Sequence, residues 1–150
     1  MSVYKTASSK QTKKLAGLLA KKILSRRIKR KNALILTLQG ELGAGKTTFI
    51  QGFLKGLGVR KKITSPTFVI TKSYKLKAKS YKIAYHIDCY RIRKPKELLS
   101  LGLREILGNP KNIILIEWAE KIQGVLPKNA IWIKFFHGSK ENIRSIRIYS

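Results

Sequence analysis

The chain has few acids and almost no sulfur: one cysteine, Cys89, and seven carboxylates in 150 residues, of which Asp88 is the only aspartate. A lone cysteine cannot close an intrachain disulfide, which suits a reducing compartment. With seven carboxylates and one aspartate, a mechanism that needs many acids is not expected. No apolar run approaches the ~18 residues of a membrane span, so no membrane partner is expected. Residues 1–14 are polar and basic without an apolar core, so no secretory signal is expected and a cytoplasmic location is. What is present is ample for folding: 43% apolar and 9% aromatic residues exclude a disordered tail. A chain of this length buries roughly 68–70% of its unfolded surface, enough for one core, and residues 1–150 read as a single domain. The 33 Lys and Arg leave a net charge of +26. Two readings of that charge stay open, an anionic partner such as nucleic acid, and a lysine-biased composition, because 24 of the basic residues are lysines.

Leu15, Leu18, Leu19, Ile23 and Leu24 recur at helical spacing and predict a basic amphipathic helix over residues 8–27, docked on its own domain. A basic loop over 26–31 follows. Residues 33–38 form a short, nearly continuous apolar run, as expected of a strand covered on both faces. A glycine-rich turn then leads into a helix over 46–56. Residues 69–74 and 82–88 read as strands joined by a lysine-rich turn. A helix is expected over 96–107, starting near Pro95 and stopped by Gly108-Asn109-Pro110. Residues 113–116 are a second fully apolar strand. Residues 130–136 and 143–149 read as a late hairpin, with Trp132, Phe135 and Phe136 filling core and sheet face. The pattern is one mixed α/β domain.

Residues 40–47, Gly-Glu-Leu-Gly-Ala-Gly-Lys-Thr, fit G-x-x-x-x-G-K-[ST]. A chance match is expected about 0.006 times per chain of average composition, and about 0.015 times in one this rich in lysine. The motif follows an apolar strand and opens a helix, as a phosphate loop must. Its glycines let successive backbone N–H groups turn toward one anion, and the new helix adds its N-terminal partial charge. Lys46 can reach the β- and γ-phosphates of a nucleoside triphosphate, and Thr47 can place its hydroxyl on Mg²⁺.

A metal-bound triphosphate needs a carboxylate at the end of a nearby strand, and two strands compete: one leads into Asp88, the other into Glu117. The second is fully apolar, hence more central, which makes Glu117 the better magnesium position and Asp88 a candidate for holding the attacking water. With one aspartate, an N-K-x-D guanine pocket is impossible and a D-x-x-G switch is absent, so ATP is favoured by elimination. No arginine-rich lid follows the loop, which weakens a small kinase. His86 and Cys89 are three apart, a marginal metal spacing, and are read as packed strand residues, as is lone His137.

Six motifs now stand in order: residues 40–49; Ser65-Pro66-Thr67-Phe68; His86-Ile87-Asp88-Cys89-Tyr90-Arg91; Glu97-Leu98 with Gly102; Ile116-Glu117-Trp118-Ala119-Glu120-Lys121; and Leu126-Pro127. Together, from about Ser8 to Arg147, they resemble the TsaE (YjeE) family, P-loop ATPases of bacterial threonylcarbamoyladenosine (t6A) formation in tRNA. The resemblance implies a P-loop NTPase-type three-layer α/β domain with a mixed, mainly parallel sheet and a C-terminal β-hairpin. It implies that Gly43, Ala44, Gly45, Lys46, Thr47 and Thr48 hold the phosphates of ATP, and that Thr47 and Glu117 hold Mg²⁺. Lys46, Asp88, Glu117 and Thr67 would serve hydrolysis, Thr67 from a switch segment over 65–67. Trp118 would lie beside the nucleotide, with Ser8 and Arg144 as further contacts. The family acts with a TsaB–TsaD-like complex, which transfers threonylcarbamoyl to adenosine 37, and meets tRNA through that complex. Two other readings remain beside it: a basic nucleic-acid-binding module with regulatory ATP binding, and a small P-loop kinase.

Overall fold

The computed structural model describes residues 1–26, 29–63 and 71–150. In chain order the elements are β1 (Ser2–Thr6), α1 (Ser9–Ser25), β2 (Leu34–Gln39), α2 (Lys46–Gly56), β3 (Thr71–Lys75), β4 (Ile83–Asp88), α3 (Lys96–Leu99), α4 (Leu103–Gly108), β5 (Asn112–Glu117), a 3-10 segment at Ala119–Val125, β6 (Ile131–His137) and β7 (Arg144–Tyr149). The strands form one sheet in the order β1-β7-β6-β2-β5-β4-β3. Its four central strands run parallel, through the pairs β6–β2, β2–β5 and β5–β4. The outer strands β3, β7 and β1 are antiparallel to their neighbours.

Alternation in the buried strands creates three layers. Leu34, Leu36 and Leu38 of β2 and Ile113 and Leu115 of β5 pack with Ala16, Ala20, Phe49, Ile50 and Phe53 of α1 and α2. The intervening Ile35, Ile114 and Ile116 face the other way, onto Leu98, Leu103, Leu107 and Ile122. Helix α1 begins at the N-cap Ser8, whose hydroxyl accepts from the Gln11 backbone N–H, while the Gln11 side chain accepts from the Ala7 N–H. It lies close on α2. A Cβ at Gly52 would fall 2.4 Å from the Lys13 carbonyl oxygen, and one at Gly56 would fall 2.7 Å from the Gly17 Cα. Only glycine permits that approach.

The structure departs from the sequence reading in three places. The expected helix over 96–107 is two short helices: the first is capped at Ser100, and Gly102, at φ +83, breaks the helical path and caps the start of the second. Ser2–Thr6, which shows no strand pattern by itself, adds to the edge of β7, with Thr6 opposite Arg144. Phe136 is 40% exposed, stacked by the Arg147 guanidinium, whereas Phe135 is buried as expected. Arg27 and Ile28 of the basic loop, the first residues of the strand expected over 69–74, and Thr67 with its switch segment lie outside the described residues.

Candidate nucleotide site

The motif of residues 40–47 joins the C-terminal end of β2 to the first turn of α2. Gly43 and Gly45 take φ +76 and +101, a left-handed backbone that turns the loop back over itself. Gly45 caps α2 without any side-chain hydrogen bond, so the N–H groups of the first turn face outward unpaired within the helix. Lys46 is buried, and its Nζ donates to the carbonyl oxygens of Gly40 and of Glu41, the latter at 3.0 Å. Burial pushes the Lys46 ammonium below its ordinary value, and the charges of Glu117, Glu120 and Asp88 oppose that shift. The ammonium lies 3.9 Å from the centre of the Trp118 ring, a cation–π contact that roofs it.

Strand parity brings the acids to the same side. Residues 84 of β4 and 113 and 115 of β5 face α1 and α2, so His86, Asp88 and Glu117, two residues apart along each strand, project toward α2 as well. Thr47 Oγ1 donates to Glu117 Oε1 at 2.8 Å. Glu117 Oε2 accepts from His86 Nε2 at 2.7 Å. Both His86 and Glu117 are buried, so the imidazole holds the carboxylate in one orientation. Asp88 pairs across the sheet with Glu117 in register, and its Oδ1 accepts from the Tyr90 N–H at 2.9 Å. That places Asp88 at the mouth and Glu117 at the floor.

A cleft of about 340 Å³ lies over the loop, lined by residues 42–48, Asp88, Tyr90, Glu117 and Trp118. Trp118 has φ +57, the only left-handed non-glycine among the described residues. Such strain of about 1–3 kcal/mol persists where the surroundings over-determine it; here the Trp118 N–H donates to Leu38 O and the ring packs 5.2 Å from that of Tyr90. A smaller cavity of about 90 Å³ continues past Gly43, Gly45 and Thr48 to Ser8, Ser9, Thr12, Asn142 and Arg144. Arg144 donates to Gly43 O at 3.1 Å, so the two ends of the chain meet at the phosphate loop.

Every expected site residue that is described lines one of these two spaces. Three participants escaped the sequence reading: His86, Tyr90 and Asn142. For His86 the signal was present, since its two-residue spacing from Asp88 puts both on one face of a strand. Cys89 is buried, with its thiol pushed up to about 12 mainly by desolvation, and among the described residues no group of three or more His, Cys, Asp or Glu could hold a metal.

A sheet with parallel central strands between helices, with a glycine-rich phosphate loop at a strand end facing a buried carboxylate, defines a P-loop nucleotide-binding protein. A family model described as threonylcarbamoyl adenosine biosynthesis protein TsaE matches residues 6–146, and the chain belongs to that family. Relatives named tRNA threonylcarbamoyladenosine biosynthesis protein TsaE include that of Haemophilus influenzae, 39% identical over 76% of this chain and 70% of the relative. The Bacillus subtilis relative is 42% identical over 66% of this chain and 59% of its own, and that of Rickettsia conorii 42% over 79% and 62%. The chain is also similar to the crystal structure of YdiB from Bacillus subtilis, with a TM-score of 0.73 and 32% identity over 97% of this chain and 82% of that one.

Proposed function

We propose that the chain binds and hydrolyses ATP as a component required for t6A formation at adenosine 37 of tRNA, acting with a TsaB–TsaD-like complex. The observation that carries the reading is the hydrogen-bonded series Thr47–Glu117–His86 at the foot of the phosphate loop. One hydroxyl and one carboxylate are the oxygen donors Mg²⁺ takes from a protein when phosphate and water complete its shell, so these residues fit that ion. Mg²⁺ held by Thr47 and Glu117 would neutralise charge developing on the phosphates. Lys46 leaves its two carbonyl partners and turns to the β- and γ-phosphates, while the N–H groups of residues 43–48 hold the remaining oxygens. Trp118 covers Lys46 and limits water there, which strengthens its attraction to phosphate. Asp88, at the mouth, accepts a proton from, or orients, the attacking water. Arg144, Ser8 and Thr48 border the small cavity and contact the rest of the nucleotide.

Hydrolysis by the chain alone is slow on this reading. An arginine finger is often worth 10³–10⁵ in rate; among the described residues no arginine lines the cleft over the loop, and Arg144, in the adjoining cavity, donates to Gly43 O. A partner surface, or partner-induced order in residues 65–67, supplies what is missing. Phosphate release is therefore expected to rise when the complex is added, and t6A formation to require Lys46; Lys46→Ala should weaken ATP binding by about 100-fold or more, the loss of a charge-assisted contact, with the fold intact. A high intrinsic rate that ignores the complex would overturn the partner-dependent mechanism.

A further inference from the structure

The charge of the chain is unevenly placed. Residues 1–87 carry 21 Lys and Arg against the single carboxylate of Glu41, whereas residues 88–150 carry 12 against six. Folding brings eight of the first set to two adjoining stretches of surface along α1, α2 and the segment that follows α2. A groove of about 640 Å³ follows their glycine crossing, lined by Lys10, Lys13, Lys14, Lys21 and Lys55. A second stretch of about 660 Å³ shares Lys13 and Lys55 with it and continues to Arg60, Lys61 and Lys62. Among the described residues no Asp or Glu lines either stretch, and neither shares a residue with the two spaces at the phosphate loop.

Helix stability argues against this arrangement. Lys10, Lys13 and Lys14 stand three and four residues apart, where like charges repel. Lys10 also sits in the first turn of α1, where the helix dipole favours an acid and neither helix has one. A drift in composition toward lysine adds cations, but it does not by itself clear every carboxylate from one face. The acids the chain retains include those at the nucleotide cleft, Asp88 and Glu117.

We propose that this trough binds the phosphate backbone of folded RNA, and, resting on the functional reading above, that the RNA is tRNA. Among the described residues no aromatic lines either stretch, so the described surface offers no platform for stacking single-stranded bases and no aromatic anchor of the kind that holds a protein partner. Lysines are compact point charges suited to phosphate positioning without base reading. Lys10 to Lys21 spans about 16 Å along α1, enough to follow several phosphates. The chain thereby contacts tRNA directly, through a face separate from the one that binds nucleotide.

The test is tRNA binding by the full chain between 50 and 200 mM salt, without any modification reaction. Log affinity should fall with log salt at a slope of about −3 or steeper, since each neutralised phosphate contributes about −0.7 to −0.9. A combined Lys13→Gln, Lys14→Gln, Lys21→Gln, Lys55→Gln variant should lose about 3 units of that slope and, because the counterion contribution grows tenfold per unit of slope between 1 M and 100 mM salt, about 1,000-fold in affinity at 100 mM salt. A control with Lys94, Lys111, Lys128 and Lys140 each changed to Gln, carrying the same net charge, should change affinity less than about 3-fold. Unaltered ATP affinity in both variants shows that they are folded. Equal losses in both would reduce the effect to bulk charge and overturn the proposal. So would unchanged tRNA affinity in the trough variant, and loss of binding to the protein complex alone would then assign the face to an acidic protein surface. Because binding is read without t6A formation, failure of the pathway reading with tRNA binding intact would strike only that reading.

Discussion

The two faces of the central sheet are built from the same kind of aliphatic strand residues but carry different loads. The α1/α2 face has helices of 17 and 11 residues locked together at glycines, and it receives His86, Asp88 and Glu117 from the strand ends. The opposite face has helices of four and six residues and a kinked 3-10 segment, packed only through groups such as Leu98, Leu103, Leu107 and Ile122. Geometry must be held tightly where Lys46, Thr47 and Glu117 converge in one cleft. It need only exclude water where aliphatic side chains meet. Chemistry in this fold is one-sided: parity along β4 and β5 sends His86, Asp88 and Glu117 to the α1/α2 face, beyond the aliphatic Ile113 and Leu115, while Ile87, Ile114 and Ile116 pack on the other.

Substitutions can break that contrast or sharpen it. The largest effect is expected from Glu117→Gln, which should lower Mg²⁺-dependent hydrolysis by about 1,000-fold, the several kcal/mol a metal supplies, while ATP affinity stays within a few-fold because Lys46 and backbone N–H groups bind phosphate. Phosphate release and nucleotide titration check it; normal hydrolysis here, with Asp88→Asn failing to bind Mg²⁺, would reverse the roles of the two strands. On the other face, Leu103→Ala, at a buried position, should cost about 2–5 kcal/mol of stability in denaturant unfolding and leave the ATP affinity of the folded protein within about 2-fold. His86→Ala should lower hydrolysis by about 10–100-fold, as loss of an outer partner to a metal ligand does, and the deficit should shrink as Mg²⁺ is raised. The smallest effect is Gly102→Ala: a left-handed backbone costs a residue with Cβ about 1–2 kcal/mol, read as a lower melting temperature with unchanged ATPase rate. If Leu103→Ala or Gly102→Ala altered nucleotide affinity strongly, the two faces would be coupled and the contrast would fail.

Legibility in the sequence follows the same division. The phosphate loop, β2, α2, β5 and the late hairpin of β6 and β7 were readable because each rests on near neighbours: a glycine spacing, an unbroken apolar run, a helical repeat. The expected helix over 96–107 failed at Gly102, where a glycine in a helical pattern reads equally as a weak interior residue or as the left-handed break it proves to be. His86 was read as a packed strand residue because its partner, Glu117, lies on another strand. Ser8 and Arg144, known at first only from a family likeness, are brought to one small cavity by the pairing of β1 with β7.

By itself the sequence determined that this chain folds as a mixed α/β domain with a phosphate loop between a strand and a helix, since periodicity, glycine position and apolar runs act over a few residues. Only the tertiary structure decided which carboxylate meets Thr47, which imidazole steadies it, how Ser8 and Arg144 reach the loop, and that seven lysines line two adjoining grooves along α1 and α2. Those outcomes depend on strand order and register, which arise from contacts between residues far apart in the chain and leave no local pattern to read.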